Sequence, residues 1–182
     1  YPQPVMELTA DYDNWCSPVE VEFTSAAGYD TYYWDFGDGE TKETWSNVIT
    51  HTYTLDFLDD TLEIIPDTIQ QEIHTDTTYN YRLIIETIHG CRDTISDSLR
   101  VYLNPIADFF VTPEIQNYPE TYVYLINLSS RGDWSYLWDF GDSETDTVKE
   151  PNQHEYPTYG FFDIELKTYS DYCRDSITKR IQ

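Results

Sequence analysis

The stretch Trp34-Asp35-Phe36-Gly37-Asp38-Gly39 decides the fold, and it recurs as Trp138-Asp139-Phe140-Gly141-Asp142. A His-x-Tyr motif follows each copy, first at His51–Tyr53 and then at His154–Tyr156. Since several motifs recur in one order, the chain is an internal repeat rather than a single irregular domain.

A third repeated motif fixes the limits of the two copies. Cys91-Arg92-Asp93-Thr94-Ile95 recurs as Cys173-Arg174-Asp175-Ser176-Ile177. We therefore predict two domains, residues 1–104 and residues 105–182, joined at Asn104-Pro105. The first copy is longer, which places an insertion around residues 55–78, and we expect this insertion to be ordered and to contact the second domain.

Alternation of apolar and polar side chains predicts short strands with one buried face. In Val19–Phe23 the valines and the phenylalanine alternate with glutamates, and Tyr32–Phe36 shows the same period of two. Further strands are predicted at 6–11, 48–53, 81–85, 94–103, 107–112, 121–125, 136–140, 154–156, 162–166 and 176–181. Six or seven short strands per domain, with a tryptophan on the third, predict an all-β chain of two tandem immunoglobulin-like β-sandwiches.

Composition excludes several classes of protein. The chain has 34 acidic and 10 basic residues and a formal net charge of −24, so it would repel nucleic acid. Its 5 Trp, 17 Tyr and 8 Phe are too many aromatic residues for a disordered acidic chain. No apolar run is long enough for a membrane helix, so we expect no membrane insertion.

The tryptophan motif followed by His-x-Tyr resembles the signature of PKD domains, the immunoglobulin-like modules named for polycystic kidney disease protein. The first copy is complete, whereas the second has Ser143 where Gly39 stands. The resemblance covers both repeats and implies two tandem PKD domains.

A second resemblance is to tandem modules in surface proteins of Bacteroidota, including gliding-motility-associated ones. It rests on Cys16-Ser17-Pro18 and on Gly90-Cys91-Arg92-Asp93-Thr94. It implies type IX secretion, an extracellular or cell-surface location, and O-linked glycans at Asp-Thr/Ser-aliphatic tripeptides such as Asp175-Ser176-Ile177.

We interpret the tryptophan motif as a folding device. Trp34 and Trp138 point inward, and the glycines and aspartates that follow each of them make a tight turn. The alternative is that carboxylates form a calcium site, a property known for some PKD domains of secreted enzymes. The weak calcium candidates are Asp11, Asp13, Asp35, Asp38, Asp139 and Asp142.

Exposed aromatic residues offer a second candidate site. Outward rings can stack on sugar faces, as they do in PKD domains of some secreted chitinases. The candidates for carbohydrate contact are Tyr29, Tyr33, Trp45 and Trp134. The alternative is that these rings belong to the ordinary surface of a sheet.

No catalytic motif is present. The chain lacks a Gly-x-Ser-x-Gly, a His-Glu-x-x-His and a phosphate-binding glycine loop. His51 and His154 are equivalent strand residues, which favours a shared structural hydrogen bond. We therefore expect no enzyme, no cofactor, and a spacer or adhesion role beside neighbouring domains of a larger secreted protein. The rival is an accessory module of a secreted hydrolase that binds surface polysaccharide or protein.

The three cysteines allow more than one arrangement. Cys16 precedes the second strand and Cys91 follows the sixth, and these strands run the same way, so the two thiols should lie at opposite ends of their sandwich. A bridge between Cys16 and Cys173, across the domain junction, is the favoured alternative. A Cys16–Cys91 bridge and three free thiols remain open.

Overall fold

A computed structural model describes residues 7–55, 76–116 and 121–182. These residues divide into two compact units, and each is described by itself. Most of the predicted insertion lies outside the described residues. The predictions that it is ordered and that it contacts the second domain concern those residues and stay predictions. No helix in the three described ranges is long and apolar enough to cross a membrane.

The first unit, residues 7–55 and 76–103, contains seven strands in its described part. They are β1 (Leu8–Asp11), β2 (Val19–Ser25), β3 (Thr31–Asp35), β4 (Thr41–Thr44), β5 (Val48–Tyr53), β6 (Thr77–Glu86) and β7 (Arg92–Val101). One sheet has the order β1-β2-β5 and the other has the order β4-β3-β6-β7. All of these pairs are antiparallel.

The second unit, residues 104–116 and 121–182, repeats this arrangement. Its described strands are β8 (Phe109–Thr112), β9 (Tyr122–Asn127), β10 (Ser135–Asp139), β11 (Thr145–Asp146), β12 (Gln153–Glu155), β13 (Phe162–Tyr169) and β14 (Arg174–Ile181). The sheets have the orders β12-β9-β8 and β11-β10-β13-β14. Two antiparallel sheets that exchange strands in this order make each unit an immunoglobulin-like β-sandwich, which confirms the predicted fold class.

Strands with alternating sequences lie where they were predicted, and two short strands were not predicted. β2 has the burial pattern that its sequence implies, with Val19, Val21 and Phe23 buried and the glutamates between them exposed. The missed strands are β4 and β11, each of which is an edge strand of the four-stranded sheet of its unit. Four of their six residues are exposed and none is buried, and all six are polar, so these strands carry no alternation of apolar and polar side chains.

Each unit packs its core around the tryptophan of the repeated motif. Trp34 contacts Phe23 with ring centroids 5.9 Å apart, and Trp138 contacts Phe109 edge-on at 5.2 Å. The indole N–H of Trp138 donates to the backbone oxygen of Val148 at 3.1 Å. Among the described residues, the buried indole N–H of Trp34 has no acceptor. The two equivalent tryptophans therefore differ in one hydrogen bond.

We predict that Trp138→Phe destabilises its unit more than Trp34→Phe destabilises the other. Both changes remove similar apolar volume, but only Trp138→Phe breaks a hydrogen bond, which is worth about 0.5–1.5 kcal/mol. Urea unfolding followed by circular dichroism and by the fluorescence of the other tryptophans of the mutated unit, Trp15 and Trp45 in the first and Trp134 in the second, gives the two free energies. Equal losses would contradict the prediction, and Trp138→Ala, expected to cost about 3–5 kcal/mol, sets the scale.

Candidate functional site

The repeated motif closes a turn at the end of the third strand of each sandwich. In the first unit, the Asp35 carboxylate accepts the Gly37 N–H at 3.2 Å and the Asp38 carboxylate accepts the Glu40 N–H at 2.9 Å. The Phe36 N–H donates to the backbone oxygen of Glu40 at 3.1 Å. The two aspartates thus satisfy backbone donors that the reversal of the chain would leave unpaired.

The second unit repeats these hydrogen bonds at similar distances. The Asp139 carboxylate accepts the Gly141 N–H at 2.9 Å, and the Asp142 carboxylate accepts the Glu144 N–H at 3.0 Å. The Phe140 N–H donates to the Glu144 oxygen at 3.1 Å. The same atoms are used twice, so the turn is a feature of the motif rather than of one local sequence.

Glycine is required in this turn because the backbone of the sixth strand lies against it. A Cβ added to Gly37 would lie 2.3 Å from the backbone oxygen of Asn80, and one added to Gly141 would lie 2.8 Å from that of Asp163. Both glycines have positive φ, at 81° and 80°. A side chain at either position would therefore push the turn away from its neighbouring strand.

A histidine from the fifth strand binds the second aspartate of the turn. The Nε2 atom of His51 lies 2.6 Å from the Asp38 carboxylate, and that of His154 lies 2.8 Å from the Asp142 carboxylate. Each imidazole also stacks on the motif phenylalanine, with centroids 3.9 Å apart in both units. We call this set of contacts, from Asp38 and His51 or from Asp142 and His154, the Asp–His clasp.

A tyrosine two residues after the histidine completes the arrangement. The hydroxyl of Tyr53 donates to the backbone oxygen of Phe36 at 2.8 Å, and that of Tyr156 donates to Phe140 at 3.0 Å. Both tyrosines are buried. Since β3 and β5 belong to different sheets, the histidine and the tyrosine tie the turn of one sheet to a strand of the other.

The electrostatics of the clasp favour ionised aspartates. Burial would raise the pKa of Asp38, but the Glu40 N–H and the His51 ring together outweigh it and hold that pKa below its ordinary value. At Asp142, burial is again opposed, here by His154 first and by the Glu144 N–H second, and the pKa is lowered. Burial, with the nearby Asp142 charge, raises the pKa of the Tyr156 hydroxyl well above its ordinary value.

The polar groups of the clasp bind one another and the backbone. Each motif carboxylate accepts a backbone N–H, each histidine binds a carboxylate, and each tyrosine hydroxyl donates to a backbone oxygen. Sequence reasoning predicted a structural hydrogen bond for the two histidines but did not name its partner. The signal was available, because an aspartate and a histidine recur together in both repeats.

The predicted calcium ligands are engaged in other contacts or stand apart. Asp35 forms an ion pair with Arg82 at 2.9 Å in addition to its turn bond. Asp11 ends β1 and is exposed, and Asp13 is exposed in the loop that follows. Within residues 7–55, 76–116 and 121–182, no three His, Cys, Asp or Glu side chains are grouped closely enough to hold a metal ion.

The four predicted carbohydrate-contact residues have different surroundings. Trp45 is 85% exposed after β4. The ring of Tyr33 lies under the Arg92 guanidinium at 5.3 Å. Tyr29 packs edge-on against Tyr32, and the Trp134 indole N–H donates to the Ser130 oxygen at 2.9 Å. Trp45 therefore has a largely free ring, whereas the others are held by neighbouring groups.

The cysteines differ in their bonding. The backbone of Cys16 forms an isolated parallel β-bridge with Tyr102, which directly follows β7. Cys91 directly precedes β7. A ten-residue strand spans about 33 Å, so Cys16 and Cys91 lie at opposite ends of the first unit. Cys16 and Cys173 are each disulfide-bonded, and Cys91 is a free cysteine.

The turn itself offers a matched pair of substitutions. Gly39 and Ser143 occupy equivalent positions with φ of 99° and 82°. We predict that Ser143→Gly raises the free energy of unfolding of its unit by about 0.5–1 kcal/mol, because the left-handed backbone strains a serine. Gly39→Ser should lower that of the other unit by a similar amount. Shifts of the same sign in urea unfolding would contradict this.

The clasp also predicts a specific acid sensitivity. The folded pKa of Asp142 lies below the unfolded value of about 3.9, so its stabilisation is present above that value and is lost as pH falls through the folded pKa. Asp142→Asn should therefore reduce stability at pH 7 and flatten its fall below about pH 4. The exposed Asp171→Asn is the control, and an unchanged acid limb in Asp142→Asn would refute the assignment.

Comparison with known proteins adds little beyond the fold. No protein-family model and no curated protein matches the chain. Among solved structures, it is similar to the PKD1 domain of the Vibrio cholerae metalloprotease PrtV, with 29% identity, 43% of this chain and 94% of that chain covered, and a TM-score of 0.36. It is similar to the amphioxus IgVJ-C2 molecule at 11% identity, with 90% and 96% covered and a TM-score of 0.33. It is also similar to murine CEACAM1b at 11% identity, with 97% and 99% covered and a TM-score of 0.36. At these TM-scores, the assignment of the fold rests on strand order and register.

Proposed function

We propose that the chain is a non-enzymatic pair of modules that spaces, presents or helps to attach other parts of a larger secreted or cell-surface protein. One observation carries the proposal. The polar side chains that both units share are those of the Asp–His clasp and its tyrosine, and they bind one another and the unit's own backbone. The repeated chemistry of the chain therefore serves folding rather than turnover.

The bonding of the cysteines supports an extracellular location. Disulfides persist outside the reducing cytosol, and two of the three cysteines here are disulfide-bonded. The finer assignments, to tandem PKD domains divided at residues 104 and 105 and to a Bacteroidota surface protein, belong to this proposal and rest on the sequence motifs.

We propose that the partner of Cys16 is Cys173. The support is chemical: the chain has three cysteines, two are oxidised, and the third is free. Such a bond would restrict bending between the modules and would suit a spacer. Peptide mapping under non-reducing conditions should recover a Cys16–Cys173 peptide from the wild type and from Cys91→Ser. A Cys16–Cys91 peptide would overturn the pairing.

A mechanical measurement tests the spacer role. The full chain would be held between reference domains at its two ends and stretched by atomic force microscopy. With the bond intact, only the residues outside it can extend, about 24 residues or ~90 Å. After reduction, the units should unfold in two steps, and the contour length of the whole extended chain should approach ~650 Å, at about 3.6 Å per residue. Extension of the oxidised chain at negligible force would contradict a spacer that resists tension.

A further inference from the structure

The outer face of the β8-β9-β12 sheet carries a run of exposed apolar side chains. Ile106, Phe110, Tyr124, Ile126 and Leu128 are each about half exposed, between 47% and 54%. Phe110 lies directly opposite Ile126 in the register of β8 and β9. We call these five residues the apolar strip. Neighbouring exposed apolar side chains on a protein surface often mark an interaction site.

The first unit provides an internal comparison. The clasp histidines lie opposite Val21 in one unit and Val123 in the other, which aligns β2 with β9. Counting outward from this pair, Glu22 corresponds to Tyr124 and Thr24 corresponds to Ile126.

The adjoining strand shows the same replacement. Thr9 lies opposite Thr24 in the first unit, so it occupies the position of Phe110 in the second. The two faces have the same backbone arrangement, but one carries threonine and glutamate where the other carries large apolar residues. The fold therefore does not require apolar residues at the positions of Phe110, Tyr124 and Ile126.

The larger sheets of both units also lack such a strip on their outer faces, as far as the described residues extend. There, Arg82 pairs with Asp35 at 2.9 Å, and Arg180 pairs with Asp163 at 2.7 Å. Charged side chains on a sheet are a usual way to discourage association with other chains. The apolar strip departs from this pattern.

We propose that the apolar strip is a docking surface for a protein partner that presents apolar side chains bordered by lysine or arginine. Charge complementarity selects this partner. The exposed Glu155 lies opposite Tyr122 at one end of the face, and Glu150 binds the Asn127 N–H at the other. The chain as a whole carries a charge of −24 and would repel acidic proteins, anionic membranes and a second copy of itself.

Ring geometry argues against a polysaccharide on this face. The rings of Tyr122 and Tyr124 are 5.5 Å apart and lie at 79° to one another. Two rings in this arrangement cannot both lie flat against one extended sugar chain, whereas they can enclose a protruding side chain. The inference concerns the binding partner and does not depend on the spacer role.

Binding of defined peptides tests the proposal. The probes are a labelled twelve-residue peptide that alternates valine with lysine and its counterpart that alternates valine with glutamate, each titrated by fluorescence anisotropy at about 150 mM salt. The full oxidised chain should bind the lysine peptide and not the glutamate peptide. Phe110→Thr with Ile126→Thr, which installs the residues of the first unit and leaves the charge unchanged, should weaken binding at least tenfold. Ile88→Thr, an exposed apolar residue elsewhere, is the control and should bind like the wild type.

Each other outcome overturns the proposal. If the double variant bound the lysine peptide as tightly as the wild type, general electrostatic attraction would explain the binding. If the wild type did not bind the lysine peptide, the proposed class of partner would be wrong. Self-association in light scattering that the double variant abolishes would assign the face to a second copy. The single variants Phe110→Thr and Ile126→Thr, which leave the charge unchanged, provide further variants if the double variant does not fold, and each should also weaken binding.

Discussion

The Asp–His clasp is the contact on which each sandwich depends. A strand that carries the core tryptophan must reverse within a few residues, and the reversal exposes backbone N–H groups. The second motif aspartate accepts one of these groups with one oxygen and binds the clasp histidine with the other. Because the histidine comes from the opposite sheet, a local turn and a contact between sheets are fixed by one carboxylate.

The remaining features of each unit follow from this arrangement. The motif phenylalanine is held between the core and the imidazole, and the clasp tyrosine caps its backbone oxygen. The glycine of the turn allows the sixth strand to approach within contact of the backbone. Both units use their repeated polar groups in this way, whereas the outer faces of their smaller sheets differ.

Sequence reasoning predicted the fold because the buried strands alternate, as β2 does, and because two repeats gave each pattern an independent check. It missed β4 and β11, because their polar residues follow no period. It also left the partner of the clasp histidine unnamed, because the pairing of the strands decides which aspartate the imidazole contacts. The apolar strip was also missed, although its signal is visible: Tyr122–Ile126 is apolar at every position, whereas the equivalent Glu20–Thr24 alternates. A strand that is apolar on both faces indicates either a fully buried strand or a binding face, and only the structure distinguishes these.

A double-mutant cycle on Asp142 and His154 tests the central claim most directly. Both side chains are less than a tenth exposed, and their contact is 2.8 Å long. The free energies of unfolding of Asp142→Ala, His154→Ala and the double variant at pH 7 should give a coupling of at least about 1 kcal/mol. If the losses from the two single variants simply add, the two residues stabilise the unit independently, and the clasp does not join the turn to the opposite sheet.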